Sequence, residues 1–244
     1  MTRSPHLAEP AVDGPAVITL WTDLTCPWAM LAVHRFHAAR SEAGLADAVV
    51  LGHRAFPLEI INGRPTSKAG LDAEIPVIAP VGPGMGMRVW SAPDAEWPVT
   101  SLLALEAVQA VKRETSLAAA EQLDLGLRRA MFCESRCISM RNVILDVAAS
   151  CELLDVDVLR VALDDGRHRG AVIHDHEEAT RLDVEGSPHA FLPDGSHSHN
   201  PGVVFHREGS RGARHIVIDT DDEGAWLDLI QRAVAHRALT PARG

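Results

Sequence analysis

The chain has 244 residues, 46% of them hydrophobic and 23% charged, which is enough to bury a complete core. A formal net charge of -10 gives no basic surface for nucleic acid or an anionic membrane, so neither is expected as a partner. The sequence lacks a transmembrane-length apolar run and a secretory signal, which predicts a cytoplasmic protein with reduced cysteines.

The first part of the chain predicts a βαβ unit. Residues 1–14 are polar and contain proline, which is typical of a flexible N-terminal arm. A buried strand is predicted over 16–21, a helix begins at Cys26 or just after it, and a second strand follows over 48–56. Two strands joined by a helix favour a parallel pair.

The segment 57–98 is predicted to be irregular. It contains seven prolines, and a loop of this length is usually a functional cover or partly disordered. Trp90 and Trp97 are expected to anchor it to the body of the protein.

Helical spacing of apolar residues continues through 100–180. It predicts four or five helices, with ends near Glu114, Glu134 and Asp165. Strands are then predicted over 189–192, 201–205 and 213–219, and an amphipathic helix closes the chain over 222–238, with Trp226, Leu229, Ile230 and Val234 on one face.

This order of elements predicts an α/β chain with a thioredoxin-like fold (βαβ…ββα) and an inserted all-helical subdomain. The thioredoxin-like domain would consist of residues 15–99 and 181–240. The inserted helical subdomain would consist of residues 100–180.

Cys26 lies at the predicted junction of strand and helix, in the sequence TDLTCPWAM. The start of a helix offers unpaired N–H groups and a positive dipole end, which lower the pKa of a thiol. Pro27 would fix the first helical residue, and the N–H groups of Trp28 and Ala29 would point at the sulfur. The alternative is that Cys26 is a small buried apolar residue.

The stretch DLTCPWAMLAVHRF resembles the active-site turn of the DsbA family, notably its FrnE-like and 2-hydroxychromene-2-carboxylate isomerase-like branch. The resemblance implies a thioredoxin-like fold with an inserted helical block and a catalytic Cys26. It also implies that VEGSPHAFL is a cis-proline loop, in which Ser187 and Pro188 face the cysteine and bind substrate. Trp28 would shield the thiolate or pack against substrate, and packing in the core is the alternative role for its ring.

Ala29 stands where redox members of that family have a second cysteine, so a mixed disulfide at Cys26 cannot be resolved within the motif. The resemblance therefore implies a thiol–disulfide oxidoreductase or isomerase that acts through one nucleophile on a protein or small-molecule disulfide or thiol. The mixed disulfide would be resolved by a small thiol such as glutathione or mycothiol, by a substrate thiol, or by Cys133 or Cys137. No tightly bound cofactor is expected.

Two other functions stay open. One is a glutathione-dependent isomerase or transferase acting on a small electrophile, as in the kappa class, with an apolar pocket beneath 57–98. The other is a redox-inactive binding protein, which the loss of a second cysteine at Ala29 favours. A homodimer is compatible with each of them.

The remaining polar motifs are assigned structural roles. Reduced, partly buried thiols are favoured for Cys133, Cys137 and Cys151 over a redox pair or half of a zinc site, although Cys133 and Cys137 would share a face of a continuous helix. The clusters 174–176 (HDH) and 197–199 (HSH) are interpreted as solvated loops, so no metal is expected. Arg54 is interpreted as a surface charge in preference to a carboxylate-binding residue.

Overall fold

The computed structural model describes residues 14–209 and 215–239, so the arm predicted over 1–14 lies outside the described residues except for Gly14. Within these ranges, none of the helices combines the length and apolar character that crossing a membrane requires.

The elements of the first half are β1 (Ala16–Thr22), α1 (Pro27–Glu42), β2 (Val49–Ala55), α2 (Leu58–Ile61), α3 (Lys68–Ile78), α4 (Leu102–Glu114) and α5 (Leu117–Glu134). Those of the second half are α6 (Arg141–Ala149), α7 (Val156–Asp165), α8 (Arg169–Arg181), β3 (His189–Phe191), β4 (His197–His199), β5 (Val203–Glu208), β6 (His215–Asp221) and α9 (Ala225–Leu239).

The central sheet has the strand order β2-β1-β3-β4. Strand β1 is parallel to β2 and antiparallel to β3, and β4 continues antiparallel beyond β3. Most residues of β1 and β2 are buried, since helices cover both faces of a sheet that contains a parallel pair. This is the predicted thioredoxin-like α/β arrangement, and α9 packs on β1 with buried Trp226, Leu229 and Ile230 as predicted.

Five helices, α4 to α8, occupy the region where four or five were predicted, and α4, α5 and α7 end at Glu114, Glu134 and Asp165. Helices α4, α5 and α8 contact β2, so this block packs directly on the edge of the sheet. The division of the chain into domains stays a prediction.

The interpretation of 174–176 as a loop is wrong, because these residues lie in the middle of α8. Asp175 is fully buried, and its carboxylate pairs with the Arg54 guanidinium at 2.5 Å and accepts the Ala55 N–H at 2.9 Å. Arg54 is therefore not a surface charge, since its side chain is 16% exposed and also pairs with Glu178 at 2.9 Å. The ion pair joins α8 to β2, which the polar sequence of α8 did not indicate.

The prediction that 57–98 is irregular is also wrong in part. It contains α2, α3 and two 3-10 turns, Ala79–Val81 and Asp94–Glu96. The Ser67 hydroxyl caps α3 by accepting the Gly70 N–H at 3.3 Å, and the helix accommodates Pro76 close to its end.

Trp90 and Trp97 anchor this segment as predicted. Their rings meet edge to face with centroids 5.2 Å apart, and the Trp97 indole N–H donates to the Thr66 carbonyl at 3.1 Å.

The three strands predicted after 188 are present as β3, β5 and β6, but β4 was not predicted. The interpretation of 197–199 as a loop is wrong, because these residues form β4 and extend the central sheet. Strands β5 and β6 form a separate two-stranded sheet. That hairpin lies against the start of α1 and the side of α3, which brings it to the candidate site described next.

Candidate active site around Cys26

Cys26 is the N-cap residue of α1, and Pro27 is its first helical residue, as predicted. The Cys26 backbone is extended (φ -85°, ψ 117°), and its carbonyl accepts the Met30 N–H at 3.1 Å. The side chain is 5% exposed. The backbone N–H of Ala29, in the first turn of α1, lowers the pKa of the thiol, as expected for a side chain at the start of a helix.

The loop before β3 lies directly against this cysteine. The Cys26 thiol donates to the Ser187 carbonyl with Sγ and O 3.1 Å apart, and the Ser187–Pro188 peptide bond is cis. The Ser187 hydroxyl accepts the Asp23 N–H at 2.9 Å. Residues 161 positions apart in the chain are thus brought into contact, as the family resemblance implied.

The prediction of a lowered thiol pKa at Cys26 is wrong for the free protein. Burial raises the pKa of Cys26 to about 11, while hydrogen bonds from the Ser187 side chain and the Ala29 N–H oppose the increase. Desolvation penalises the thiolate more than the start of the helix stabilises it. A cysteine at the beginning of a helix is visible in the sequence, but the depth of its burial is not.

A cavity of about 340 Å³ opens beside Cys26. On one side the Trp28 ring stacks on Phe205 of β5, with centroids 4.1 Å apart and planes 5° from parallel. Arg207 of β5 reaches across to Glu74 of α3 at 2.8 Å. The other lining residues are Thr25, Pro27, Leu58, Asn62, Thr66, Ser67, Gly70, Leu71, Gly186, Ser187, His199 and Asn200.

The turn that carries Cys26 is stabilised by hydrogen bonds to Asp23, whose carboxylate is fully buried. It accepts the N–H and the hydroxyl of Thr25 at 2.7 Å, and the Leu58 N–H and the Ser101 hydroxyl at 2.8 Å. Burial raises the pKa of Asp23, and these hydrogen bonds oppose the increase. Sequence reasoning missed Asp23 because its partners come from three separate segments.

Arg128 of α5 supports the same turn and is completely buried. Its guanidinium donates to the Asp23 carbonyl at 3.0 Å and to the Thr22 hydroxyl at 2.9 Å. It also pairs with Asp124 one helical turn away, at 2.7 and 3.1 Å. The inserted helices therefore reach the backbone of the candidate site.

Among the residues that the structure describes, Glu185, His189 and His197 form the one group with the spacing of metal ligands. His189 Nδ1 accepts the Glu185 N–H at 3.1 Å, so its proton is on Nε2 and is donated to His197 Nδ1 at 2.9 Å. Two nitrogens bound to one tetrahedral zinc would lie roughly 3.3 Å apart, and neither would keep a proton. The hydrogen bonds among these residues thus account for their close spacing without a bound metal.

The sequence matches the model of the DSBA-like thioredoxin domain over residues 17–206, which is most of the chain. The chain belongs to the DSBA-like thioredoxin family. A search of curated protein sequences finds no significant match.

Solved structures agree with this fold at low sequence identity. The cytosolic disulfide reductase DsbM from Pseudomonas aeruginosa is 17% identical with a TM-score of 0.58, covering 91% of this chain and 97% of its own. That protein is also solved with GSH (16% identity, TM-score 0.56, 91% and 98% covered). A probable DsbA oxidoreductase from Streptomyces coelicolor is 19% identical with a TM-score of 0.63, covering 93% of each chain. A 2-hydroxychromene-2-carboxylate isomerase is 15% identical with a TM-score of 0.56, covering 75% of this chain and 87% of its own.

In this DSBA-like chain, the other cysteines lie apart from the cavity that Cys26 lines. All four cysteines are free thiols. Cys133 is in the last turn of α5, and the helix ends before Cys137 because Ser135 adopts a left-handed conformation (φ 54°). The two cysteines therefore do not lie on one continuous helix, in agreement with the helix end predicted near Glu134. The Cys133 thiol donates to the Met85 carbonyl at 3.4 Å, and burial raises its pKa.

Proposed function

We propose that this DSBA-like protein catalyses thiol–disulfide exchange through Cys26 as its single nucleophile. The observation that carries the proposal is the position of the Cys26 sulfur. It lies at the start of α1, 3.1 Å from the Ser187 carbonyl, and at the wall of a cavity that is open to a ligand. Cys133, Cys137 and Cys151 lack this combination of helix start, cis-proline loop and cavity.

In the proposed reaction, the Cys26 thiolate attacks one sulfur of a bound disulfide. A new S–S bond forms to Cys26, the old S–S bond breaks, and its electron pair leaves with the second sulfur as a thiolate. A second thiol then attacks the mixed disulfide and restores Cys26. Because Ala29 provides no thiol, this second step uses an external small thiol, glutathione or mycothiol, or a substrate thiol, with Cys133 or Cys137 as the less favoured route.

The lining of the cavity supports a small thiol as the resolving partner. A volume of about 340 Å³ is at the lower end of the range for small-molecule sites. The Glu74–Arg207 pair presents a negative and a positive charge side by side, next to the polar groups of Asn62 and Thr66. A thiol peptide that carries both an ammonium group and carboxylates matches this pattern.

A glutathione-dependent isomerase or transferase is the second candidate function, and one observation favours it. The Cys26 thiol acts as a hydrogen-bond donor, to the Ser187 carbonyl at 3.1 Å, and the same S–H group would turn to the sulfur of a bound thiol. In that reaction Cys26 would form no covalent bond. Cys26→Ser would then retain activity on a small electrophile, whereas disulfide exchange would be abolished.

The test uses a variant with Cys133, Cys137 and Cys151 all changed to Ser, so that Cys26 is the only thiol. We expect oxidised glutathione to form a mixed disulfide at Cys26 that accumulates, because Ala29 cannot resolve it. Intact-mass spectrometry and peptide mapping would detect the adduct, and reduced glutathione should release it.

The matched control keeps Cys151 as the only cysteine. Cys151 is also buried, at 9% exposure, and burial raises its pKa, but it lies away from the cavity, so it should form the adduct far more slowly. An unmodified Cys26, or catalysed exchange that survives Cys26→Ser, would refute the proposal.

A further inference from the structure

The proposed exchange reaction needs a group that accepts the Cys26 proton. In the free protein this proton is held by the Ser187 carbonyl, which accepts a hydrogen bond but cannot take up the proton at neutral pH. The Cys26 site thus stabilises the neutral thiol. A base beside the cavity is required for rapid formation of the thiolate.

Two side chains that line the cavity are candidate bases, Glu74 and His199. Glu74 is engaged in an ion pair with Arg207 at 2.8 Å, so its carboxylate is already bound to a cation. His199 has no carboxylate within hydrogen-bonding distance, since the nearest is Glu185, 3.9 Å from Nδ1. His199 is therefore the better proton acceptor.

The hydrogen bonds of His199 determine which of its nitrogens is basic. The Asn200 side-chain NH₂ lies 3.2 Å from His199 Nε2, and an amide NH₂ can only donate, so Nε2 carries the lone pair. Nδ1 carries the proton on the side of Glu185. This is the tautomer that a general base at Nε2 requires.

The basic nitrogen lies next to the loop that contacts Cys26. A Cβ atom on Gly186 would come within 2.7 Å of His199 Nε2, so the ring packs directly on this glycine. Gly186 immediately precedes Ser187, whose carbonyl binds the Cys26 thiol. Any larger residue at 186 would push the ring away, which gives a physical reason for glycine at this position.

We propose that His199 is the general base and acid of the exchange reaction at Cys26, an inference that rests on the proposed function. As Cys26 attacks the disulfide, Nε2 gives up its 3.2 Å contact with the Asn200 amide and accepts the thiol proton through a water molecule in the cavity. The old S–S bond breaks with its electron pair on the leaving sulfur, and the His199 imidazolium returns the proton to that thiolate. The proton and the electrons are thus balanced within one turnover.

The surroundings of His199 keep its ring neutral at neutral pH, so its lone pair is not protonated before the reaction. Burial lowers the pKa of His199, and the Glu185 carboxylate opposes this decrease. His189, the cross-strand neighbour of His199, has a ring centroid 5.7 Å away, and burial lowers its pKa to about 4, so it is also neutral. The other ionisable groups that line the same cavity are Cys26, Glu74 and Arg207.

The test measures the rate of exchange with oxidised glutathione as a function of pH, with Cys26 as the only cysteine. In the protein that keeps its native histidines, the rate should rise with pH over the range in which a histidine loses its proton, and then level off. His199→Gln should lower the rate at neutral pH by about 100-fold, and the loss should shrink at alkaline pH as hydroxide forms the thiolate. Added imidazole should restore part of the rate in His199→Ala.

The matched control is His197→Gln, two residues away on β4, because His197 does not line the cavity. Its pH profile should be unchanged. A His199→Gln rate equal to that of the parent, or one reduced by the same factor at every pH, would overturn the role of His199.

If His199→Gln fails to fold, the pH profile of the parent protein still decides the question. A rate that climbs in proportion to hydroxide, with no inflection in the histidine range, excludes His199 as the base. Exchange that does not depend on Cys26 at all overturns the proposed function as well. The two failures are therefore distinguished by Cys26→Ser.

Discussion

The Cys26 sulfur lies between a hydrogen-bond acceptor and a hydrogen-bond donor. The thiol donates a hydrogen bond to the Ser187 carbonyl, and the Ala29 N–H acts on the sulfur from the start of α1. The first contact requires the neutral thiol, whereas the second stabilises the thiolate once the proton has left. The residue is thus arranged to ionise during a reaction and not before it.

His53 of β2 is a second buried titratable residue, and it makes stability depend on pH. Its ring is 2% exposed, neither ring nitrogen has a hydrogen-bond partner, and Asp124 is 3.5 Å from Nδ1. Burial lowers the pKa of His53 from 6.5 to about 4, although the Asp124 carboxylate opposes the decrease. The unfolded chain therefore binds a proton at a pH where the folded chain does not.

We expect the stability contributed by neutral His53 to be present above pH 6.5 and to be lost as the pH falls toward 4. The loss should be about 3 kcal/mol, measured as the free energy of unfolding in urea. His53→Gln should reduce this pH dependence, while His174→Gln, at an exposed position on α8, should leave it unchanged. An equal slope in all three proteins would contradict the assignment.

At the scale of elements, the cavity is formed between α3 and the β5–β6 hairpin, with the start of α1 at its base. Phe205 of β5 stacks on Trp28 of α1, and Arg207 of β5 pairs with Glu74 of α3. Arg35 of α1 also pairs with Asp221 at the end of β6, at 2.5 Å. Both strands of the hairpin are thus bound by ion pairs to helices beside the thiol, β5 to α3 and β6 to α1.

Phe205→Ala should weaken binding of a small disulfide more than it weakens the fold. It removes the stack on Trp28 and opens one wall of the cavity, so KM for oxidised glutathione should rise by about tenfold. Val204→Ala is the control, because Val204 is the neighbouring residue on the same strand and is 57% exposed. If both variants have the parent KM, the hairpin does not take part in ligand binding.

Helix α5 contributes to stability through Arg128, which joins the helical block to the turn before Cys26. Arg128→Met would leave Asp124 buried without its ion pair and the Asp23 carbonyl without this donor. The expected loss is about 3–5 kcal/mol in the free energy of unfolding.

The control for Arg128 is Arg160→Met on α7. Arg160 is 46% exposed and pairs with Asp157 at the surface, so its loss should cost less than about 1 kcal/mol. Urea unfolding at neutral pH measures both variants. Similar losses in the two proteins would show that the buried pair does not support the turn.

At the scale of the whole molecule, the sequence allowed prediction of the order of elements and of the Cys26 and Ser187–Pro188 segments. Strong apolar periodicity marks α4 and α5, and a proline directly after Cys26 marks the start of α1. These signals are local, so they are readable without a structure.

The features that were missed depend on contacts between distant segments. The raised pKa of Cys26 results from burial beneath residues of α2, α3 and β5, and the buried position of Arg54 results from Asp175, 121 residues away. Helix α3 was obscured by its internal Pro76, and β4 by its three polar residues. The role of His199 depends on its contact with Gly186, which no spacing in the sequence reveals.

The long sequence separation of the contacts around Cys26 has a consequence for the newly made chain. Arg128 follows Asp23 by 105 residues, and Ser187 follows Cys26 by 161. At ordinary translation speeds, Cys26 leaves the ribosome on the order of 10–30 s before the loop that covers it. During that interval the Ser187 loop cannot cover the thiol, so the thiol lacks part of the burial that raises its pKa in the finished fold. Cellular disulfides therefore meet a more readily ionised cysteine on the nascent chain than on the mature protein, and completion of the fold ends that exposure.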